Sequence, residues 1–124
     1  MRIILSLCIL ILIAGVAILV VNLRGSNHYG ATFVEAPRVA VRDLVSNPSL
    51  FLGKQVIIEG DVIDQCPSTG CFFYFDDGGQ RLKVELSDLA QTLPQRAGSK
   101  ASVEGQLVPF GSSYQFLGSA VEFK

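Results

Sequence analysis

Residues 71–86 read CFFYFDDGGQRLKVEL. In the second half, Leu82, Val84 and Leu86 alternate with Arg81, Lys83 and Glu85, the period of two that marks a half-buried strand. Asp76-Asp77-Gly78-Gly79 is a hairpin turn signal, because glycine adopts the positive φ that tight primed turns require. With Asp77-Gly78 as the loop, Phe73 faces Leu82, Cys71 faces Val84, Phe72 faces Lys83 and Tyr74 faces Arg81. Moving the loop to Gly78-Gly79 changes the partners but not the faces, whereas a three-residue loop would reverse them. Since the charged alternates must point out, Phe73 and Phe75 are expected in the core, and Phe72 and Tyr74 outside.

Further strands flank this hairpin. Gln55–Gln65 (QVIIEGDVIDQ) puts Val56, Ile58 and Val62 on one face, with Gly60 predicting a bulge or sharp coil. Lys100–Val108 (KASVEGQLV) repeats the pattern, with Gly105 in a place comparable to Gly60, and Tyr114–Phe123 (YQFLGSAVEF) is the last strand. Between the third and fourth strands, Ser87–Thr92 reads as a helical turn or two behind a serine cap. Ahead of the first strand, Val41, Leu44 and Val45 have helical spacing, and Asn47-Pro48 stops that helix near Ser46.

Five strands with a helical turn between the third and fourth is the order of an OB-fold, a partly open Greek-key barrel. The all-β reading is reinforced locally. LFLGKQVIIEGDV (50–62) resembles the first strand of OB domains of the tRNA-anticodon-binding-like type found in bacteria and archaea, and KASVEGQLV resembles their fourth. The resemblance covers roughly residues 41–124. It rests on glycine and valine patterns, which imply a fold and no activity.

The N-terminus is of another character. Ile3–Val21 (IILSLCILILIAGVAILVV) is nineteen residues without a charge, roughly 28 Å as a helix, about the thickness of a bilayer core. The exit, Val20-Val21-Asn22-Leu23-Arg24, lacks the small-residue pattern of a signal cleavage site. Residues 1–24 are therefore expected to be a single transmembrane anchor, 25–40 a tether broken up by Gly25, Gly30 and Pro37, and 41–124 the OB-fold domain. Arg2 on one side, and Arg24, Arg38 and Arg42 on the other, give no decisive charge asymmetry. A two-residue tail before a long C-terminal domain places that domain outside the cytoplasm, at the cell membrane.

Residues 25–124 hold eight Lys/Arg against eleven Asp/Glu, a net charge of −3. A domain that neutralises phosphates usually has the opposite sign, so nucleic acid is disfavoured as a partner. No nucleophile–base pair is apparent: the only histidine, His28, lies in the tether, and neither a G-x-S-x-G nor a glycine-rich phosphate loop occurs. Catalysis is not expected. Asp61, Asp64, Asp76 and Asp77 form no EF-hand-like loop, and Asp76 and Asp77 are explained as hairpin residues.

Cys66-Pro67-Ser68-Thr69-Gly70-Cys71 closes one strand and opens the next. Opposed residues on antiparallel strands lie about 4.5–5.5 Å apart at Cα, within the range of a disulfide. A hairpin-clamping disulfide is the first reading of Cys66 and Cys71. Two metal-binding thiolates, a reactive redox pair and two free thiols remain open. A complete zinc site would need further ligands, and the spacing exceeds C-x-x-C. No cofactor and no metal are expected.

OB domains bind ligands across their second and third strands, on aromatics beside basic groups. Phe72, Tyr74, Arg81 and Lys83 are thus the candidate ligand-binding residues, the plainer role of Phe72 and Tyr74 being to cover the barrel flank. The expected protein is a membrane-anchored, extracytoplasmic, non-catalytic binding module for a protein or small ligand. A membrane anchor followed by a small OB barrel is also similar to the haem chaperone of cytochrome c maturation. That family's haem-attaching histidine or cysteine lies beyond the barrel, and neither residue type occurs after Cys71 here.

Overall fold

A computed structural model describes residues 1–23 and 27–124, with side chains described for 1–16 and 27–124. Five strands make the barrel: β3 (Gln55–Ile63), β4 (Phe72–Asp77), β5 (Gln80–Glu85), β6 (Lys100–Phe110) and β7 (Ser113–Phe123). Two short N-terminal strands precede them, β1 (His28–Gly30) and β2 (Arg38–Ala40). β3 pairs with β4, β4 with β5, β5 with β7 in parallel, β7 with β6, and β6 with β3, so the ring closes. This is the five-stranded architecture expected from the sequence.

The hairpin turns on Gly78-Gly79, at φ 60° and 87°, with Asp77 opposite Gln80. Phe73 therefore faces Val84, and Tyr74 faces Lys83, two residues along from the register drawn with Asp77-Gly78 as the loop. The faces are as expected. Phe73, Phe75, Val84 and Leu86 are buried, as is Leu82, whereas Phe72 and Tyr74 are half-buried on the outside. Inside, the rings of Phe73 and Phe75 meet edge-on at 5.1 Å, and Phe123 from β7 lies 6.2 Å from Phe73.

Helix α2 (Val41–Ser46) packs on β5, β4, β3 and β2, burying Val41 and Leu44 completely. Proline starts the short helix α3 (Pro48–Phe51), where its missing N–H costs no bond. The turn after β5 is smaller than expected, a 3-10 turn over Ser87–Leu89 with no side-chain cap. The irregularity anticipated at Gly60 occurs elsewhere: β3 pairs with β6 without a break from Gln55 to Asp61, and the register shifts between Glu104 and Gly105.

The stretch read as a tether is partly built into the sheet. β4 covers one edge of β3 only at Asp61–Ile63, and β2 pairs in parallel with the same edge at Ile57–Glu59. β5 covers β7 at Phe116 and Leu117, and β1 pairs with it at Ala120–Glu122. The strands diverge to close the barrel and leave these half-edges unpaired. Open N–H and C=O groups at an edge demand partners, and the N-terminal segment supplies them. Ile57, on the outer side of β3, is buried as a result, its N–H donating to the Pro37 carbonyl.

Helix α1 (Arg2–Leu23) is 22 residues long, and its described side chains are exposed, Ile3 by 81% and Leu12 by 66%. Among the described residues no helix is long and apolar enough to cross a membrane, so the expected span is not found there. Side-chain description stops at Val16 within α1, and the anchor–tether boundary at residues 24–25 lies outside the described residues.

Candidate functional site: the outer face of β4 and β5

Cross-strand geometry brings the four expected residues together. Tyr74 lies opposite Lys83 and Phe72 opposite Glu85, yet each cation leans diagonally to a ring. Lys83 Nζ sits 5.0 Å from the Phe72 centroid, and the Arg81 guanidinium carbon 5.4 Å from that of Tyr74. The two rings meet nearly perpendicular at 6.3 Å. Rings and cations thus alternate along the outer face, each contact worth about 0.5–1 kcal/mol at an exposed site.

A fifth member was hidden in the sequence. Phe110, at the end of β6, is 52% exposed, and its centroid is also 5.0 Å from Lys83 Nζ. The sequence places it in a turn after the fourth strand, but β6 and β7 pair out to Phe110–Ser113 and carry it to the ladder. Exposed Tyr114 follows on the same hairpin. Aromatics on both sides of a tight turn were the signal that could have found them.

Carboxylates temper the charge of this face. Arg81 pairs with Asp64, and Lys83 Nζ lies 3.5 Å from Glu85. The remaining members of the acidic set are also engaged: Asp61 with Lys100 at 3.2 Å, Asp76 with the Gly79 N–H, and Asp77 with the Arg42 N–H. Asp77 thereby caps α2, whose own N-cap, Ala40, has no side-chain acceptor. His28 Nε2 lies 2.6 Å from the Ala31 carbonyl, and its ring meets Phe33 edge-on. Among the described residues, no cluster of three or more His, Cys, Asp or Glu is placed to hold a metal ion.

The cysteines sit at the neighbouring loop, both half-buried and both free thiols. Alternation carried on from Val62 and Phe73 would point both inward, but Asp64, at φ 47°, turns the chain first. The Cys66 N–H donates to the Phe72 carbonyl, and its own carbonyl accepts from Gly70 and from Gln95 Nε2. Cys66 Sγ lies 3.4 Å from Ser68 Oγ. That hydroxyl, with the N–H groups of Thr69 and Ser68 and the Cys71 thiol, holds the Cys66 thiol down at about 6. A second strap of bonds ties this loop to residues 93–96: Leu93 N–H to Thr69 O, Gln65 Nε2 to Pro94 O, and Arg96 N–H to Gln65 Oε1.

No protein-family model and no curated protein matches the chain. Among solved structures it is similar to a candidate aspartyl-tRNA synthetase from Leishmania major Friedlin, with TM-score 0.55 and 13% identity over 75% of this chain. The match spans 21% of the synthetase, about a fifth of its length. It is also similar to the hypothetical protein ygiW from E. coli, with TM-score 0.50 and 13% identity, covering 76% of this chain and 99% of the other. At such identities the likeness is one of architecture, and the architecture is that of an OB-fold.

Proposed function

We propose that this chain is an OB-fold binding module whose recognition face carries no catalysis, held at the cell membrane by α1 and facing away from the cytoplasm. Its recognition surface is the outer face of β4 and β5. One observation carries the reading: Phe72, Tyr74, Arg81, Lys83 and Phe110 converge on that face as alternating rings and cations. Because the cations are partly neutralised by Asp64 and Glu85, the surface suits a protein segment or small ligand with apolar and polar groups better than a polyanion. The anchor rests on nineteen uncharged residues within a 22-residue helix whose described apolar side chains are exposed.

Photo-crosslinking in cells tests the surface. A benzophenone residue at position 72 or 110 should capture a discrete partner, and one at exposed Lys54, off this face, should not. Equal capture from all three positions would defeat the assignment. A topology reporter fused after Lys124 tests the side of the membrane.

A second reading, single-stranded nucleic-acid binding, is favoured by the same ladder, since bases stack on rings flanked by cations irrespective of sequence. Micromolar affinity for an oligothymidylate at physiological salt would place it first; the net charge of −3 over residues 25–124 argues against that outcome.

A further inference from the structure

Cys66 and Cys71 lie at the two ends of a loop closed by its own hydrogen bonds, Cys66 N–H to Phe72 O at 2.9 Å and Gly70 N–H to Cys66 O at 3.1 Å. The bond from Cys66 N–H to the carbonyl of Phe72, the neighbour of Cys71, sets the two cysteines side by side across the loop. The donors around Cys66 are all neutral: one hydroxyl, two backbone N–H groups and one thiol. Beside Cys71 opens a shallow hollow of about 350 Å³ walled also by Thr69, Ser87, Ala90, Gln91 and Thr92, a mixture of apolar surface with hydroxyl and amide groups. A sulfur with converging donors, a second thiol at the other end of the closed loop and an open hollow beside that second thiol are what thiol–disulfide exchange requires.

We infer that Cys66 and Cys71 are an exchangeable dithiol, in which Cys66 attacks the disulfide of a peptide docked beside the loop and Cys71 resolves the product.

In the first step the Cys66 thiolate bonds to one sulfur of the peptide disulfide, and the other sulfur departs as a thiolate. In the second, Cys71 sulfur attacks Cys66 Sγ, the bond from Cys66 to the peptide breaks, and the Cys71 proton leaves with the peptide thiol. The two cysteines lose two electrons and the peptide disulfide gains them. The Cys66–Cys71 disulfide anticipated from the sequence is then a product state and not a fixed clamp. Run in reverse, the same steps reduce it. This chemistry is independent of whether the β4–β5 face holds a partner.

Roles follow from position. Cys66 carries the donors that stabilise a thiolate, so it is the attacking sulfur. Cys71 borders the hollow and lies across the closed loop from Cys66, so it is placed to displace the bound half of the peptide. Strapping of the loop to residues 93–96 keeps the two sulfurs together.

The test uses full-length protein carrying Cys8→Ser in detergent micelles, with oxidised glutathione as the peptide disulfide. Products are trapped by acid and alkylation and located by mass spectrometry. With Cys71→Ser added, glutathione should accumulate on Cys66. At pH 6 it should do so roughly tenfold faster than in the urea-denatured chain, the gain in thiolate outweighing its lower nucleophilicity. With both cysteines present, the Cys66–Cys71 disulfide should form with release of glutathione and reopen in excess reduced glutathione. Adducts forming on Cys71 in Cys66→Ser as fast as on Cys66 in Cys71→Ser would overturn the assignment. So would a disulfide that resists millimolar reduced glutathione, the mark of a structural clamp.

Discussion

Lys83 Nζ lies equally far, 5.0 Å, from the Phe72 ring on β4 and from the Phe110 ring on β6. One cation thereby joins the hairpin face to the tip of the β6–β7 hairpin. Lys83→Ala and Phe110→Ala should each lower crosslinked-partner yield or affinity by roughly tenfold, as expected of residues near the centre of a binding patch. Both should leave the thermal midpoint within a few degrees of wild type, since an exposed cation–π contact adds only about 0.5–1 kcal/mol. Unchanged affinity in both variants would remove this face from recognition.

Gly105 and Leu117 stand closer than any other residue type would permit. A Cβ on Gly105 would fall 2.1 Å from the Leu117 carbonyl oxygen and 2.9 Å from the Gly118 Cα, both backbone atoms. The extra residue of the bulge, Ser119, lies just beyond and donates its hydroxyl to the Glu104 carbonyl. Gly105→Ala must push β6 from β7 at this point. A loss of about 3 kcal/mol or more is expected in urea unfolding, at the upper end for overpacking. A loss under about 1 kcal/mol would mean that the strands part freely here.

How far the sequence reveals this molecule depends on which forces are local. The faces of β4 and β5 were legible because alternation assigns them whatever the turn register, so Phe72, Tyr74, Arg81 and Lys83 came out together although their cross-strand partners shifted by two. β1 and β2 were not, because three-residue strands have no period to read; the barrel's unpaired half-edges create them. Ile57 and Glu104 share that cause, lying on the outer sides of their strands and becoming buried only when the N-terminal segment covers them. The bulge at Gly105 and the place of Phe110 depend on how β6 and β7 pair, which no single strand encodes.

Glu104 shows the energetic side of that cover. Its side chain is only 3% exposed overall, with Oε2 accepting the Val34 N–H at 2.9 Å and Oε1 the Gln55 amide at 3.1 Å. Glu104→Ala strands the Val34 N–H, leaves the Gln55 amide only Ser119 Oγ at 3.4 Å, and loosens the segment between β1 and β2. Removing an acceptor from part-buried donors costs about 1–3 kcal/mol. Hydrogen exchange should accelerate at Val34, and at Ile57 beneath the same segment, while Val84 in the core stays slow. Uniform acceleration across all three would mean that the segment opens only with the whole barrel.

Asp77 belongs to the hairpin by sequence but to α2 by contact, its Oδ2 accepting the Arg42 N–H at 3.2 Å. Helix N-termini present unpaired N–H groups, and losing a side-chain acceptor there costs about 1 kcal/mol. Asp77→Ala should lower unfolding stability by about that amount, and Asp77→Asn, which keeps an acceptor, by less. Equal losses in the two would point to the turn and not to the cap.

Titration of Cys66 is independent of partner or redox cycle. Four neutral donors, Ser68 Oγ foremost, hold its thiol at about 6 against an ordinary value near 9.0. These donors stabilise the thiolate, so the shift is downward, and the thiolate is the form that reacts with alkylating agents. The iodoacetamide rate at Cys66 in the folded chain should therefore rise through an inflection near pH 6 and level off above it. In urea the rate should still be climbing at pH 8. Ser68→Ala removes the largest contributor and should move the folded inflection upward, with the plateau reached only at more alkaline pH. An inflection that stays at the ordinary value in wild type, or does not move in Ser68→Ala, would show that the hydroxyl and the sulfur do not meet in solution.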